Sequence, residues 1–182
     1  EPVKETYKKL LKNIDLNQIS NKVTTSNIAI GEDEDIVCIS NTKGALNRVV
    51  KNKKQTTEVV IQKTLDVLSI KEKPSLLKID VEGYEVHVLK GGKNTLTCPE
   101  LQGLIIELNG NSKKYGATDA QIHKTLISYG FNPICYNPFN RNVKELNNYN
   151  IHKQNTIYIK DIKGVQEIIK KSQKYQVGKY RL

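Results

Sequence analysis

The chain has 182 residues, long enough to bury one sizeable core, and carries 29 Lys and Arg against 19 Asp and Glu, for a net charge of +10 and a pI near 9.4. No apolar run approaches the roughly 20 residues that a bilayer-spanning helix needs, and no signal-peptide pattern opens the chain. Cys38, Cys98 and Cys135 are too scattered for a zinc site, so a cytoplasmic protein with reduced thiols is the expectation.

Residues 2–17 read as a helix, because Pro2 suits a first turn and Val3, Tyr7, Leu10, Leu11 and Ile14 fall on one face. Residues 23–30 read as a strand closed by Gly31 and the acidic turn 32–35, with a second strand at 36–39. Residues 41–57 are polar, basic and aperiodic and read as a mobile loop. A strand at 57–61 leads to Thr64, whose hydroxyl suits the cap of a short helix over 64–68.

Residues 76–80 form the next predicted strand, and 84–90 a helix stopped by Gly91 and Gly92. Residues 101–108 read as a buried strand. Thr118 or Asp119 caps a helix that buries Ile122, Leu126 and Ile127 and stops at Gly130. Strands follow around 131–136 and 156–160, and the segment from Gly164 onward carries a basic amphipathic helix with a fraying end. Strands alternating with helices over short connections predict an α/β fold with a mostly parallel sheet, helices on both faces, and an antiparallel pair among the last strands.

The densest chemistry follows the strand at 76–80, where Asp80 and Glu82 sit at its carboxyl end, the place where α/β sheets hold their ligands. Asp80 points to that crevice. Glu82 alternates away from Asp80 along an extended backbone, but a close turn at Gly83 swings it back. Glu82 and Glu85 also suit a helix N-terminus on structural grounds alone. Glu107, one strand over, is a candidate base for a hydroxyl proton, a task that needs a raised pKa. These carboxylates come without histidines at ligand spacing, so no metal is implied. His87 and His123 lie on helices without such partners and read as surface or half-buried side chains, and His152 sits in a polar loop.

The stretch Lys78-Ile79-Asp80-Val81-Glu82-Gly83, with Glu85 and Val88-Leu89-Lys90-Gly91, closely resembles the signature of the FkbM-type methyltransferases. Thr64-Leu65-Asp66-Val67-Leu68 resembles the family's Thr-Leu-Asp element, and Asn27-Ile28-Ala29-Ile30-Gly31 the end of its third strand. Glu1-Pro2 resembles the end of its second strand, and Ile106-Glu107 fits the strand after the signature. The resemblance implies a methyltransferase domain over residues 1–160, followed by a basic C-terminal helix and tail over 161–182. It also implies a Rossmann-like class I methyltransferase sheet and S-adenosyl-L-methionine as cofactor.

On that resemblance Glu1 grips the ribose hydroxyls, Asn27 reads the adenine edge, and Ile28 and Ala29 line its face. Asp80 serves both cofactor and acceptor by attracting the sulfonium charge or orienting a hydroxyl, with Glu82 and Glu107 beside it in the catalytic set. The family's first strand and glycine-rich turn have no counterpart in this sequence, and the chain begins Glu1-Pro2 with no methionine anywhere. The expectation is a sheet lacking its first strand, an N-terminally truncated chain, and weak or absent cofactor binding by these 182 residues alone.

The implied activity is O-methylation, mostly of sugar hydroxyls, with a small-molecule or glycan acceptor. The alternatives are a noncatalytic remnant or polyanion-binding module, and a nucleic-acid methyltransferase. Against nucleic acid, the cations are nearly all dispersed lysines, with Arg48, Arg141 and Arg181 the exceptions, and no Asn-Pro-Pro-Tyr type motif is present. Lys51, Lys53 and Lys54 contribute to acceptor binding if the acceptor is anionic.

Overall fold

The computed structural model describes residues 1–42, 44, 47–50, 57–70, 72–151 and 153–181, without the side chain of Arg181. Lys51, Lys53, Lys54, much of the loop expected at 41–57, and His152 lie outside the described residues. The chain forms two compact units, one of residues 1–72 and 86–94, the other of residues 73–85 and 95–182.

The first unit opens with helix α1 (Lys4–Leu16), which starts two residues later than expected, with Val3 as its N-cap and Pro2 outside its first turn. Strands β1 (Ala29–Gly31), β2 (Asp35–Ser40), β3 (Val49–Val50) and β4 (Thr57–Thr64) make one sheet in the order β1-β4-β2-β3. β1 is shorter than the strand expected at 23–30, because regular structure begins only at Ala29. Val3, Ala29, Ile39 and Val60 form the buried core of this unit, with Val37 and Val49 against it. β4 runs directly into helix α2 (Leu65–Ser69), and the Thr64 hydroxyl accepts from the Val67 amide as a cap. Gly91 is required by packing: a Cβ there would run into the Gly31 carbonyl oxygen.

The second unit contains β5 (Leu76–Ile79), β6 (Gly103–Glu107), β7 (Asn132–Asn137), β8 (Asn142–Glu145) and β9 (Asn155–Ile159), ordered β5-β6-β9-β7-β8. Helix α3 (Glu85–Lys90) follows β5, and α4 (Lys93–Thr97) precedes β6. Helix α5 (Asp119–Ser128) leads to β7 with a full capping box between Thr118 and Gln121. Helix α6 (Ile162–Lys171) follows β9, and the end expected to fray instead forms a small hairpin of β10 (Gln176–Val177) and β11 (Tyr180–Arg181). Leu104, Ile106, Ile122, Leu126, Phe131 and Tyr158 are among the side chains fully buried here.

The Rossmann-like, mostly parallel sheet is not what forms. The structure has two mixed, mostly antiparallel sheets, in which β1–β4 and β5–β6 are the parallel pairs and every other pair described is antiparallel. Alternating hydrophobicity marks a strand without saying which strand it joins. Here β4 inserts between β1 and β2, which are connected by only a short acidic turn, and so it must oppose one of them. β7 and β8 close as a tight hairpin, and β9 threads antiparallel between β6 and β7. Among the described residues β5 is hydrogen-bonded on one side only, to β6.

Candidate active site

The second unit brings three of the candidate carboxylates together. The β5–β6 ladder ends with Ile79 opposite Ile106, so the next residues on the two strands, Asp80 and Glu107, emerge side by side. Beyond Asp80 the chain turns sharply: Glu82 takes a left-handed conformation at φ 55° and Gly83 follows at φ 103°. A positive φ is costly for a side chain such as glutamate. Residues two apart on an extended backbone share a face, so the alternation expected to send Glu82 away from Asp80 does not arise, and the turn keeps the two carboxylates on one side. One oxygen from each of Asp80, Glu82 and Glu107 lies within 4.8 Å of the others.

Buried Glu85 holds the turn from beneath. Its Oε1 accepts from the amides of Val81 at 3.3 Å and Gly83 at 3.2 Å, and its Oε2 receives the Ser112 hydroxyl at 3.4 Å. Burial raises its pKa, while these hydrogen bonds pull the other way. Ser112 also stands 3.4 Å from Asp119, whose other oxygen accepts from the Gly110 amide at 2.9 Å. From the opposite side, the Asn111 side-chain amide reaches Glu82 at 3.4 Å, and a Cβ on Gly83 would come within 2.7 Å of the Asn111 backbone.

Electrostatics separate the three carboxylates, of which Asp80 is exposed and Glu82 and Glu107 are half-buried. Burial, then the negative charges of Asp80 and Glu82, and a hydrogen bond shared with Asp80 hold the Glu107 carboxyl above its ordinary value. Asp80 has a counter-ion, the Lys78 ammonium at 2.5 Å. Three carboxylates at this spacing can share a proton or surround a divalent cation, and Glu107 is the one poised to take up a proton.

Sequence reasoning overlooked Lys78, Asn111, Ser112 and Asp119 as partners of this turn. Lys78 is marked by its spacing, two residues before Asp80 on the same strand face, whereas Asn111, Ser112 and Asp119 meet the turn only through the chain's folding. Tyr115 packs edge-to-face on Tyr84 with ring centroids 5.1 Å apart. His123 donates to or accepts from the Tyr158 hydroxyl at 2.8 Å, and burial lowers its pKa. His87 meets Glu32 at 3.2 Å within the first unit.

The remaining candidates belong to the first unit. Glu1 turns its Oε1 onto the Val3 amide at 2.9 Å, leaving its second oxygen without a hydrogen bond among the described residues. The Asn27 side chain donates to the carbonyls of Glu1 and Pro2, both at 2.9 Å, which leaves its own oxygen as an acceptor. Ile28 is half-buried, and Ala29 is packed in the core of this unit. Beside Gly31, the buried Gln62 uses its amide on the Asp33 carbonyl, and its Oε1 lacks a partner among the described residues. Glu1 and Asn27 thus each offer an accepting side-chain oxygen, of the kind that an adenosine's amino group and ribose hydroxyls need.

Among the described residues no helix is long and apolar enough to cross a membrane. No curated protein matches the sequence. Among solved structures, methyltransferase FkbM from Methylobacillus flagellatus KT is similar, with a TM-score of 0.53 and 14% identity over 87% of this chain and 35% of that one. The chain thus spans about a third of that protein's length, and at this identity the likeness shows the fold alone. The profile of the methyltransferase FkbM domain matches residues 1–133. That match takes in the Thr64 cap, the Asp80–Glu85 turn and Glu107, and with it the chain belongs to the FkbM methyltransferase family.

Proposed function

We propose that this protein is an S-adenosylmethionine-dependent O-methyltransferase acting on a carbohydrate hydroxyl. The observation that supports the reading best is Asp80 beside Glu107, with the latter's carboxyl held above its ordinary value. The cofactor supplies a methyl group already activated on a positively charged sulfur, so the protein's task is alignment and removal of one proton. Asp80 orients the acceptor hydroxyl. Glu107 accepts its proton, and a raised pKa makes it a stronger base than an ordinary carboxylate while Asp80 and Glu82 keep the rim anionic. Glu82 is positioned by the strained turn to complete that rim. On the family resemblance, Asp80 also meets the sulfonium charge of the cofactor.

The test is transfer of a labelled methyl group from S-adenosylmethionine by the full-length protein to a panel of oligosaccharides, nucleic acids and small phenols. Label in alkali-stable sugar methyl ethers is expected. Label in nucleic acid with none in sugars would overturn the reading. A second reading, a polyanion-binding module without catalysis, draws on the cluster of Arg141, Lys170 and Lys174 around one depression. It requires polyanion binding with no transfer to any acceptor.

A further inference from the structure

The second unit carries a basic depression of about 520 Å³ lined by Asn140, Arg141, Asn142, Lys170 and Lys174, and no acidic residue lines it. The strand directions place it. β7 runs parallel to β5 and β6 in sense, because β9 opposes both β6 and β7. The carboxyl end of β7 and the hairpin tip to β8 therefore lie at the same end of the sheet as Asp80 and Glu107. Glu107 pairs with Asn155 on β9, and the β7–β8 ladder continues that row through Tyr136 and Val143, one step short of the tip. Three strand spacings make this about 14 Å.

The cations are arranged rather than scattered. Arg141 holds a left-handed conformation at φ 55°, and its Nη2 donates to the Ser172 carbonyl at 2.9 Å, pinning the hairpin tip to the end of α6. That uses one of five guanidinium donors, leaving the planar fork for an anion. Lys170 and Lys174 have no carboxylate partner among the described residues, whereas the neighbouring Lys171 pairs with Glu167. Arginine is scarce in this chain, which makes its placement at this tip the more telling.

We propose that Arg141, Lys170 and Lys174 form an anion subsite that seats a phosphate or similar doubly charged ester group of the acceptor. The methylated hydroxyl then lies at Asp80 and Glu107, and the anionic group is held across the strand tips. The substrate class is an anionic glycan rather than a neutral one, a phosphorylated short oligosaccharide, because a single sugar phosphate is too short for a span of about 14 Å. The substrate half of this assignment rests on the O-methyltransferase reading, while the anion subsite itself does not.

The experiment is a titration of the full-length protein with inorganic phosphate, followed by amide NMR shifts. Saturable shifts confined to Asn140, Asn142 and the segment from Lys170 to Lys174 are expected. Binding should weaken about tenfold in Arg141→Ala, and similarly in Lys174→Ala, whose exposed side chain leaves folding intact. Lys12→Ala, on the exposed side of α1, should change nothing. Non-saturating shifts spread over the surface lysines, or unaltered binding in both variants, would overturn the subsite. Methyl transfer then separates the two claims. Phosphate binding here with no methylation of any sugar refutes the O-methyltransferase reading and keeps the subsite. Sugar methylation in which Arg141→Ala leaves the KM for a phosphorylated acceptor unchanged refutes the subsite and keeps the activity.

Discussion

Asp80 and Glu107 leave adjacent parallel strands side by side, one step past the Ile79–Ile106 pair, and the charge of Asp80 opposes the ionisation of Glu107. Asp80 is relieved by Lys78, whereas Glu107 is the more buried of the two and meets the difficulty by holding its proton more tightly. A carboxylate pair with unequal surroundings divides the labour, one group staying anionic and the other exchanging protons.

Asp80→Asn keeps the size and removes the charge. Methyl transfer by the intact protein should fall by about 100-fold or more, with stability changed by about 1 kcal/mol or less because the lost ion pair with Lys78 is solvent-exposed. The same substitution should lower the titration midpoint of Glu107, read by carboxyl carbon NMR, since one charge that opposes its ionisation is gone. Near-normal turnover would reject the role of Asp80, and an unmoved Glu107 would reject the coupling.

Glu85→Ala and Glu85→Gln should part company. Alanine strands the amides of Val81 and Gly83 and opens a cavity, for a loss of about 2–4 kcal/mol in urea unfolding. Glutamine preserves the accepting oxygen and should cost about 1 kcal/mol or less at neutral pH. The folded pKa of Glu85 is raised, so wild-type stability from this group is complete below its ordinary value of 4.5 and declines as pH rises through the folded pKa. Glutamine removes that decline. Its unfolding midpoint relative to wild type should therefore climb across this window, and a constant difference would show that Glu85 is not perturbed.

Gly83→Ala combines a φ of 103° with a Cβ 2.7 Å from the Asn111 backbone, which cannot retreat as a side chain would. A loss of about 2 kcal/mol or more is expected, with a displaced Asp80–Glu82 turn and reduced transfer. Wild-type stability in chemical unfolding would contradict the turn geometry.

Glu82→Gly releases a strained left-handed residue. Stability should rise by about 0.5–1 kcal/mol while methyl transfer drops, the opposite directions expected where strain serves a site. If both rise, Glu82 is a structural accident of the turn.

Several features were legible because they depend on neighbours in sequence. The caps at Thr64 and Thr118 are side chains meeting amides three residues on, and α1 shows its apolar face in its own periodicity. The family signature around Asp80 is likewise local, as is the need for a turn at Gly83. Asp80 and Glu107 could be named as candidates from their places at strand ends, without knowing that they touch.

What only the tertiary structure decided is which strand lies beside which. β4 between β1 and β2, β9 between β6 and β7, and hence the replacement of one mostly parallel sheet by two mixed ones, follow from pairings over long separations that hydrophobic alternation does not encode. The same pairings put Glu107 next to Asp80, raised its pKa by burial and neighbouring charge, and set Arg141 at the same end of the sheet. A residue's type and local backbone are written in the chain, whereas its dielectric surroundings and its charged neighbours exist only once distant segments meet.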